Sequence, residues 1–269
     1  MFWNAKNGRV SIGDDTMDYV SFGTGPDCLI LIPGLGDGLR TVKGMALPMS
    51  AAYRIYARKY KVYIFSRKNQ LPEGCSTKEM AKDLAAALRA LNIRKADCVG
   101  ISQGGMIAQY LAIDYPDLVS GLVLAVTASR PNEQLQKVVG SWIKLAQEGN
   151  YRDLAVDTAE KSYSEPYLQK YRLLFPLLVR IGKPTNFTRF LIQANSCLTH
   201  NAFQELEQIL CPTLVIGGGR DLIVGSEASK EIAERIPASR LFLYRELGHA
   251  AYEEAPDFHK RVLNFLQAK

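Results

Sequence analysis

The stretch "VGISQGGMIAQYLA", Val99 to Ala112, places Ser102 between Gly100 and Gly104, after an apolar run and before a helical pattern. A strand that turns at once into a helix strains the turn residue, and side chains two positions either side would collide with the neighbouring strand and helix. Glycine at both positions removes that collision. Such strain has a purpose when a hydroxyl must stand exposed at a strand's carboxyl end, above a helix amino terminus. Backbone N–H groups and the helix dipole there favour a developing negative charge. An N-cap serine after a tight glycine turn is the plainer reading, and the paired glycines and the strand–helix switch weigh against it. Ser102 is thus a candidate nucleophile.

A serine hydroxyl attacks only when a base takes its proton, and the chain has three histidines. His249, in "LYRELGHAAYEEAP", follows the strand-like "RLFLY" and so falls at a strand's carboxyl end. His200 closes a helical block, and His259 falls within the last helical pattern, where a solvated face is expected. His249 is the candidate base. Asp221 directly follows the strand-like "TLVIGGG", and a carboxylate there would fix the tautomer and charge of the imidazole. An aspartate in a glycine-rich turn is common by itself, but the chain order Ser102, Asp221, His249 is the one expected for a nucleophile on such a turn. The strand-like run ending at Val126 offers no carboxylate until Glu133. Two N–H donors would complete the site, that of Gln103 after the nucleophile and that of Leu35 in the loop "PGLGDGL". This set calls for no cofactor and no metal ion.

These residues need elements to carry them. "RVSI" and "MDYVSFG" read as two antiparallel strands. "CLILIP", "KVYIF", "ADCVGI" and "SGLVLAV" are short apolar runs spaced by helical patterns, one of which opens with Ser76 and Glu79 in capping-box spacing. That rhythm predicts a mostly parallel sheet covered by helices on both faces. From about Ser129 to Leu206 the pattern is helical throughout, punctuated by prolines 166, 176 and 184. The sheet rhythm then resumes with "PTLVIGGG" and "RLFLY". The expected organisation is a core of residues 1–128 and 207–269, with residues 129–206 inserted as a helical block. That block should cover Ser102 and supply apolar contacts to a substrate. Trp142 and Phe175 are the residues picked for that role.

Composition bounds the partners. Of 269 residues 47% are apolar and 22% charged, the balance of a globular protein with a full core. No apolar run approaches the ~20 residues of a membrane span, and the opening "MFWNAKNGRVSIGDD" lacks a signal-peptide core. A cytoplasmic location without membrane attachment is expected. The five cysteines form no C-x-x-C pair, which suits reduced thiols better than disulfides or zinc. The net charge of +6 is modest, and "YRIYARKYKVYIFSRK" reads as a solvated face running into a buried strand. No nucleic-acid motif accompanies that charge. The expected partner is a small-molecule substrate, and nothing in the pattern speaks to oligomeric state.

The ordered segments "IPGLGDG", "GISQGG", "GGGRD" and "LGHAAYEE" resemble those of the α/β-hydrolase superfamily over nearly the whole chain. The resemblance implies an α/β-hydrolase fold whose helical block stands where that family carries its cap. Two departures stand out. Pro33 replaces the histidine that many members have in the oxyanion loop, and "SRKNQLPEG", Ser66 to Gly74, replaces an Asp-Arg-x-Gly-x-Gly loop. The expected activity is serine hydrolysis of carboxylic esters with small to medium apolar acyl groups through an acyl-enzyme. Carbon–carbon bond hydrolases and enol-lactonases share the cap placement, and a binding protein that retains the fold is the rival of another class.

Overall fold

The computed structural model describes residues 3–171 and 183–269. Its strands are β1 (Lys6–Ile12), β2 (Asp15–Phe22), β3 (Asp27–Ile32), β4 (Tyr60–Lys68), β5 (Ala96–Ile101), β6 (Val119–Ala125), β7 (Thr213–Gly218) and β8 (Ser239–Tyr244). Its helices are α1 (Ala46–Ala52), α2 (Thr77–Ala90), α3 (Gln103–Asp114), α4 (Glu133–Gln147), α5 (Tyr151–Ser162), α6 (Glu165–Tyr171), α7 (Thr188–Thr199), α8 (Ser226–Arg235), α9 (Ala251–Glu254) and α10 (Phe258–Ala268).

The strands form one eight-stranded sheet in the order β1-β2-β4-β3-β5-β6-β7-β8. β1 and β2 pair antiparallel, as do β2 and β4, and the remaining pairs are parallel. Successive side chains of a strand point to opposite faces, so Ile30 and Ile32 of β3 join one core cluster while Leu29 and Leu31 join the other. Both faces being covered, β5 and β7 are buried along their whole length, which is why they read as unbroken apolar runs. The fold is that of an α/β hydrolase.

Local signals act where the sequence puts them. Ser76 caps α2, its Oγ accepting the N–H of Glu79 at 3.1 Å while Glu79 accepts the N–H of Ser76 at 2.7 Å. α3 is buried from Gln103 to Ile113, so it shows no polar face. Between β6 and β7 the described residues hold α4 to α7 and a 3-10 segment, Phe203–Gln208, and no strand. A third apolar cluster joins α4, α5 and α7 to Met106 of α3.

Two expectations are revised. β4 continues through Ser66, Arg67 and Lys68, so the first part of "SRKNQLPEG" is strand rather than loop. His259 does not lie on a solvated face. It packs edge-on against Tyr53 and Tyr56, whose hydroxyl lies 2.9 Å from His259 Nδ1. Burial lowers its pKa to about 4. Among the described residues no helix is long and apolar enough to cross a membrane.

Candidate active site

Ser102 links β5 to α3 with φ 54° and ψ −120°, a region that a residue with a side chain occupies only under strain. Its neighbours hold it there. Its N–H donates to Ala125 O at 2.9 Å, and Thr127 Oγ1 donates to its carbonyl at 2.7 Å. The flanking glycines are required by contact. A Cβ on Gly104 would sit 2.0 Å from Ile32 O, and one on Gly100 would sit 2.5 Å from Gly104 O. The crossing of α3 over the end of β3 therefore has no room for a methyl group.

His249 reaches Ser102 from the loop after β8. Its Nε2 lies 2.9 Å from Ser102 Oγ, and its Nδ1 lies 2.8 Å from Asp221 Oδ2. A carboxylate only accepts, so it fixes the imidazole proton on Nδ1 and leaves Nε2 as the acceptor facing the hydroxyl. Asp221 is held in turn, its Oδ1 accepting the N–H groups of Ile223 at 2.8 Å and Val224 at 3.0 Å. His249 and Asp221 are 7% and 5% exposed, so little water competes for these bonds. The glycine run at the end of β7 makes the approach possible, since a Cβ on Gly218 would sit 2.2 Å from Gly248 O.

Leu35 opens a 3-10 turn, Leu35–Gly38, and Gln103 opens α3. First-position N–H groups have no carbonyl one turn back, so both are free to meet an anion. The Leu35 loop touches the nucleophile turn, a Cβ on Gly34 lying 3.2 Å from Ser102 Cβ. The Gln103 side chain turns into a buried polar network. Its Oε1 accepts from Arg67 Nη2 at 2.8 Å, and its Nε2 donates to Gln193 O at 2.7 Å and Ser196 Oγ at 3.1 Å. Behind it Asp37 Oδ2 accepts from Arg189 Nη2 at 2.7 Å and from the Arg67 N–H at 3.2 Å. Burial alone would raise the Asp37 pKa, but the Arg67 and Arg189 guanidinium groups hold it below the usual carboxylate value.

Sequence reasoning missed Asp37, Arg67, Arg189 and Gln193. The departure at "SRKNQLPEG" marked the place of Arg67 without naming its partners. Trp142 is 5% exposed, and its indole N–H donates to Asp157 Oδ2 at 2.6 Å. It is therefore packed within the helical block rather than presented to a ligand. Phe175 lies outside the described residues. His200 is buried between Thr77 and Gln109, well apart in its partners from Ser102. A cleft of about 970 Å³ runs beside the His249 loop between α5, α6 and the loops after β7 and β8, with Leu168, Leu222, Leu247 and Gly248 in its wall.

The family model described as alpha/beta hydrolase fold matches residues 28–256. A 2-hydroxy-6-oxononadienedioate/2-hydroxy-6-oxononatrienedioate hydrolase of Burkholderia vietnamiensis is 28% identical, over 93% of this chain and 90% of the relative. Among solved structures, an alpha/beta hydrolase enzyme from a Medee basin deep-sea metagenome library superposes with a TM-score of 0.87 at 22% identity, over 97% of each chain. The enol-lactonase from Burkholderia xenovorans LB400 superposes with a TM-score of 0.83 at 20% identity, over 97% of this chain and all of that one (100%). At these identities the two structures speak to the fold.

Proposed function

The chain belongs to the α/β-hydrolase family, and from that premise we propose that it is a serine hydrolase that cleaves carboxylic esters of small to medium apolar acyl groups. The observation that carries this reading is the strained Ser102 with His249 Nε2 2.9 Å from its Oγ and Asp221 on the far imidazole nitrogen. As Ser102 Oγ attacks the ester carbonyl, His249 Nε2 takes its proton and Asp221 stays ionised against the imidazolium. The tetrahedral oxyanion turns toward the N–H groups of Leu35 and Gln103. Collapse expels the alcohol with the proton from Nε2, leaving an acyl-Ser102. Water then repeats the sequence, giving its proton to His249 and releasing the acid. Residues 129–206 act as the cap over this site.

A second reading is carbon–carbon bond or enol-lactone hydrolysis, which the same nucleophile and base can serve. It draws support from the name of the Burkholderia vietnamiensis relative and from the length over which the two chains align. The test joins fluorophosphonate labelling to a panel of p-nitrophenyl esters, enol-lactones and a vinylogous diketone. Labelling at Ser102, its loss in Ser102→Ala, and fastest turnover of esters are expected. Fastest turnover of the lactone or the diketone would favour the second reading. A chain that is neither labelled nor active on any of them would be a binding protein that keeps the fold.

A further inference from the structure

Beyond the triad, we propose that Arg67 is a positioning residue for the oxyanion hole, one guanidinium nitrogen tying together the two chain segments that supply its N–H donors. This rests on the serine-hydrolase reading above. Arg67 Nη2 donates to Pro33 O at 2.6 Å and to Gln103 Oε1 at 2.8 Å. Pro33 lies two residues before Leu35, and Gln103 carries the other donor on its own backbone. One atom therefore bonds to both sides of the hole.

The sheet cannot do this work. The ladder between β3 and β5 ends at the pair Ile32 and Gly100, so Leu35 and Gln103 both lie past the last strand pairing. Their separation is set by what bridges the segments beyond that point. Arg67 is itself anchored, 3% exposed, with its N–H on Asp37 Oδ2 at 3.2 Å and its carbonyl accepting from Arg189 Nη2 at 2.9 Å. Asp37 in turn pairs with Arg189 at 2.7 Å. Burying a guanidinium costs more than burying an apolar side chain of similar volume. The cost is explained by the two convergent acceptors, which no apolar side chain could bridge. Lysine would keep the charge, but its ammonium ends one bond short of the guanidinium Nη atoms and lacks their planar fork. Oxyanion donors act only when aimed within hydrogen-bonding distance of the developing charge, and a misplacement of about 1 Å can cost ~10²-fold.

The experiment compares Arg67→Lys with the parent enzyme on p-nitrophenyl butyrate, with active sites counted by end-point phosphonylation. The expected result is a kcat lower by ~10- to 100-fold with KM within about twofold, because the donors matter in the transition state and not in the ground state. Butylboronic acid, which forms a tetrahedral adduct on serine, should weaken by the same factor, while the acid limb of the kcat/KM profile keeps its inflection. A role in folding alone would lower the count of active sites and leave the other readings in place. Should Arg67→Lys fail to fold, Gln103→Met removes one acceptor of the guanidinium and keeps the backbone donor, and the same loss of kcat is expected. Normalised kcat and boronate affinity at the parent values, in whichever variant folds, would overturn the proposal. Ester turnover that survives in Ser102→Ala would instead overturn the serine reading on which it stands.

Discussion

Ala250, the residue after His249, donates its backbone N–H to the carbonyl of Ser162 at 2.8 Å. The end of α5 is thereby tied to the loop that carries the imidazole. The adjoining residues extend the seam. Tyr163 donates its hydroxyl to Glu253 at 2.6 Å, and Ser164 donates its N–H to Glu254 Oε1 at 2.9 Å and its hydroxyl to the other oxygen. The helical block is thus stitched to the chain just past His249 by backbone and side chain together. Replacing Glu254 by alanine leaves two partly buried donors of Ser164 without their acceptor, a loss of ~1–3 kcal/mol. We expect the urea midpoint of Glu254→Ala to fall with an unchanged slope, and kcat to fall with it as the His249 loop loosens. A variant with the parent's midpoint and kcat would show that the seam holds neither the block nor the base.

The strain at Ser102 predicts opposite effects on activity and stability. Ser102→Ala and Ser102→Gly should both lose ~10⁴-fold or more in kcat, since a triad works as a unit. They should differ in stability. Alanine keeps the unfavourable φ of 54°, whereas glycine adopts it freely. The relief of ~1–3 kcal/mol, less the ~0.5–1 kcal/mol that glycine costs through the unfolded chain, leaves Ser102→Gly ahead by about 1 kcal/mol. Thermal unfolding of the two inactive variants reads this directly. Equal Tm values would mean that the turn stores no strain.

That turn was legible in the sequence because its geometry is enforced by the absence of side chains, and absent side chains appear as glycines at set positions. Asp221 and His249 were legible because each lies in the loop that follows an apolar strand pattern, and the chain order did the rest. The network behind the oxyanion loop had no such signature. Asp37 and Arg189 lie 152 residues apart, and each alone reads as an ordinary solvated charge. His259 was misplaced for a related reason. Phe258, Val262 and Leu266 form the buried stripe of α10, and His259 falls on its flank. What covers that flank comes from elsewhere in the chain, in Tyr53 and Tyr56. Periodicity gives the face of a helix and is silent on what arrives from a distance.

Acyl preference tests the apolar wall beside the site. Leu35, in the oxyanion loop, is partly buried and packs against the apolar cluster that holds Met106, Leu135 and Phe190. An acyl chain directed along this wall gains ~0.8 kcal/mol per buried methylene, about fourfold in kcat/KM. From p-nitrophenyl acetate upward kcat/KM should therefore climb over a few carbons and then drop once the space is filled. A series that stays level from acetate to octanoate would remove the wall from the substrate's path.

His200 predicts how the fold responds to acid. It is 2% exposed, with Nδ1 2.8 Å from Thr77 Oγ1 and Nε2 3.3 Å from Gln109 Oε1. One arrangement satisfies both contacts with a neutral ring, the threonine hydroxyl donating to Nδ1 and Nε2–H donating to the glutamine. Burial holds its pKa down to about 3, against ~6.5 for an imidazole in the unfolded chain. Between those values the unfolded chain binds the extra proton, so acid favours unfolding. The contribution is intact above pH ~6.5 and is lost as pH falls toward the folded value, amounting to ~2 kcal/mol by pH 5. His200→Asn keeps an oxygen for the Thr77 hydroxyl and removes the titrating group. It should be less stable than the parent at pH 7.5, and its unfolding free energy should fall less on going to pH 5, by about 2 kcal/mol. His259 titrates in both proteins and so drops out of the difference. Urea unfolding at the two pH values measures it, and equal acid losses in parent and variant would show that His200 is not the group that acid must charge.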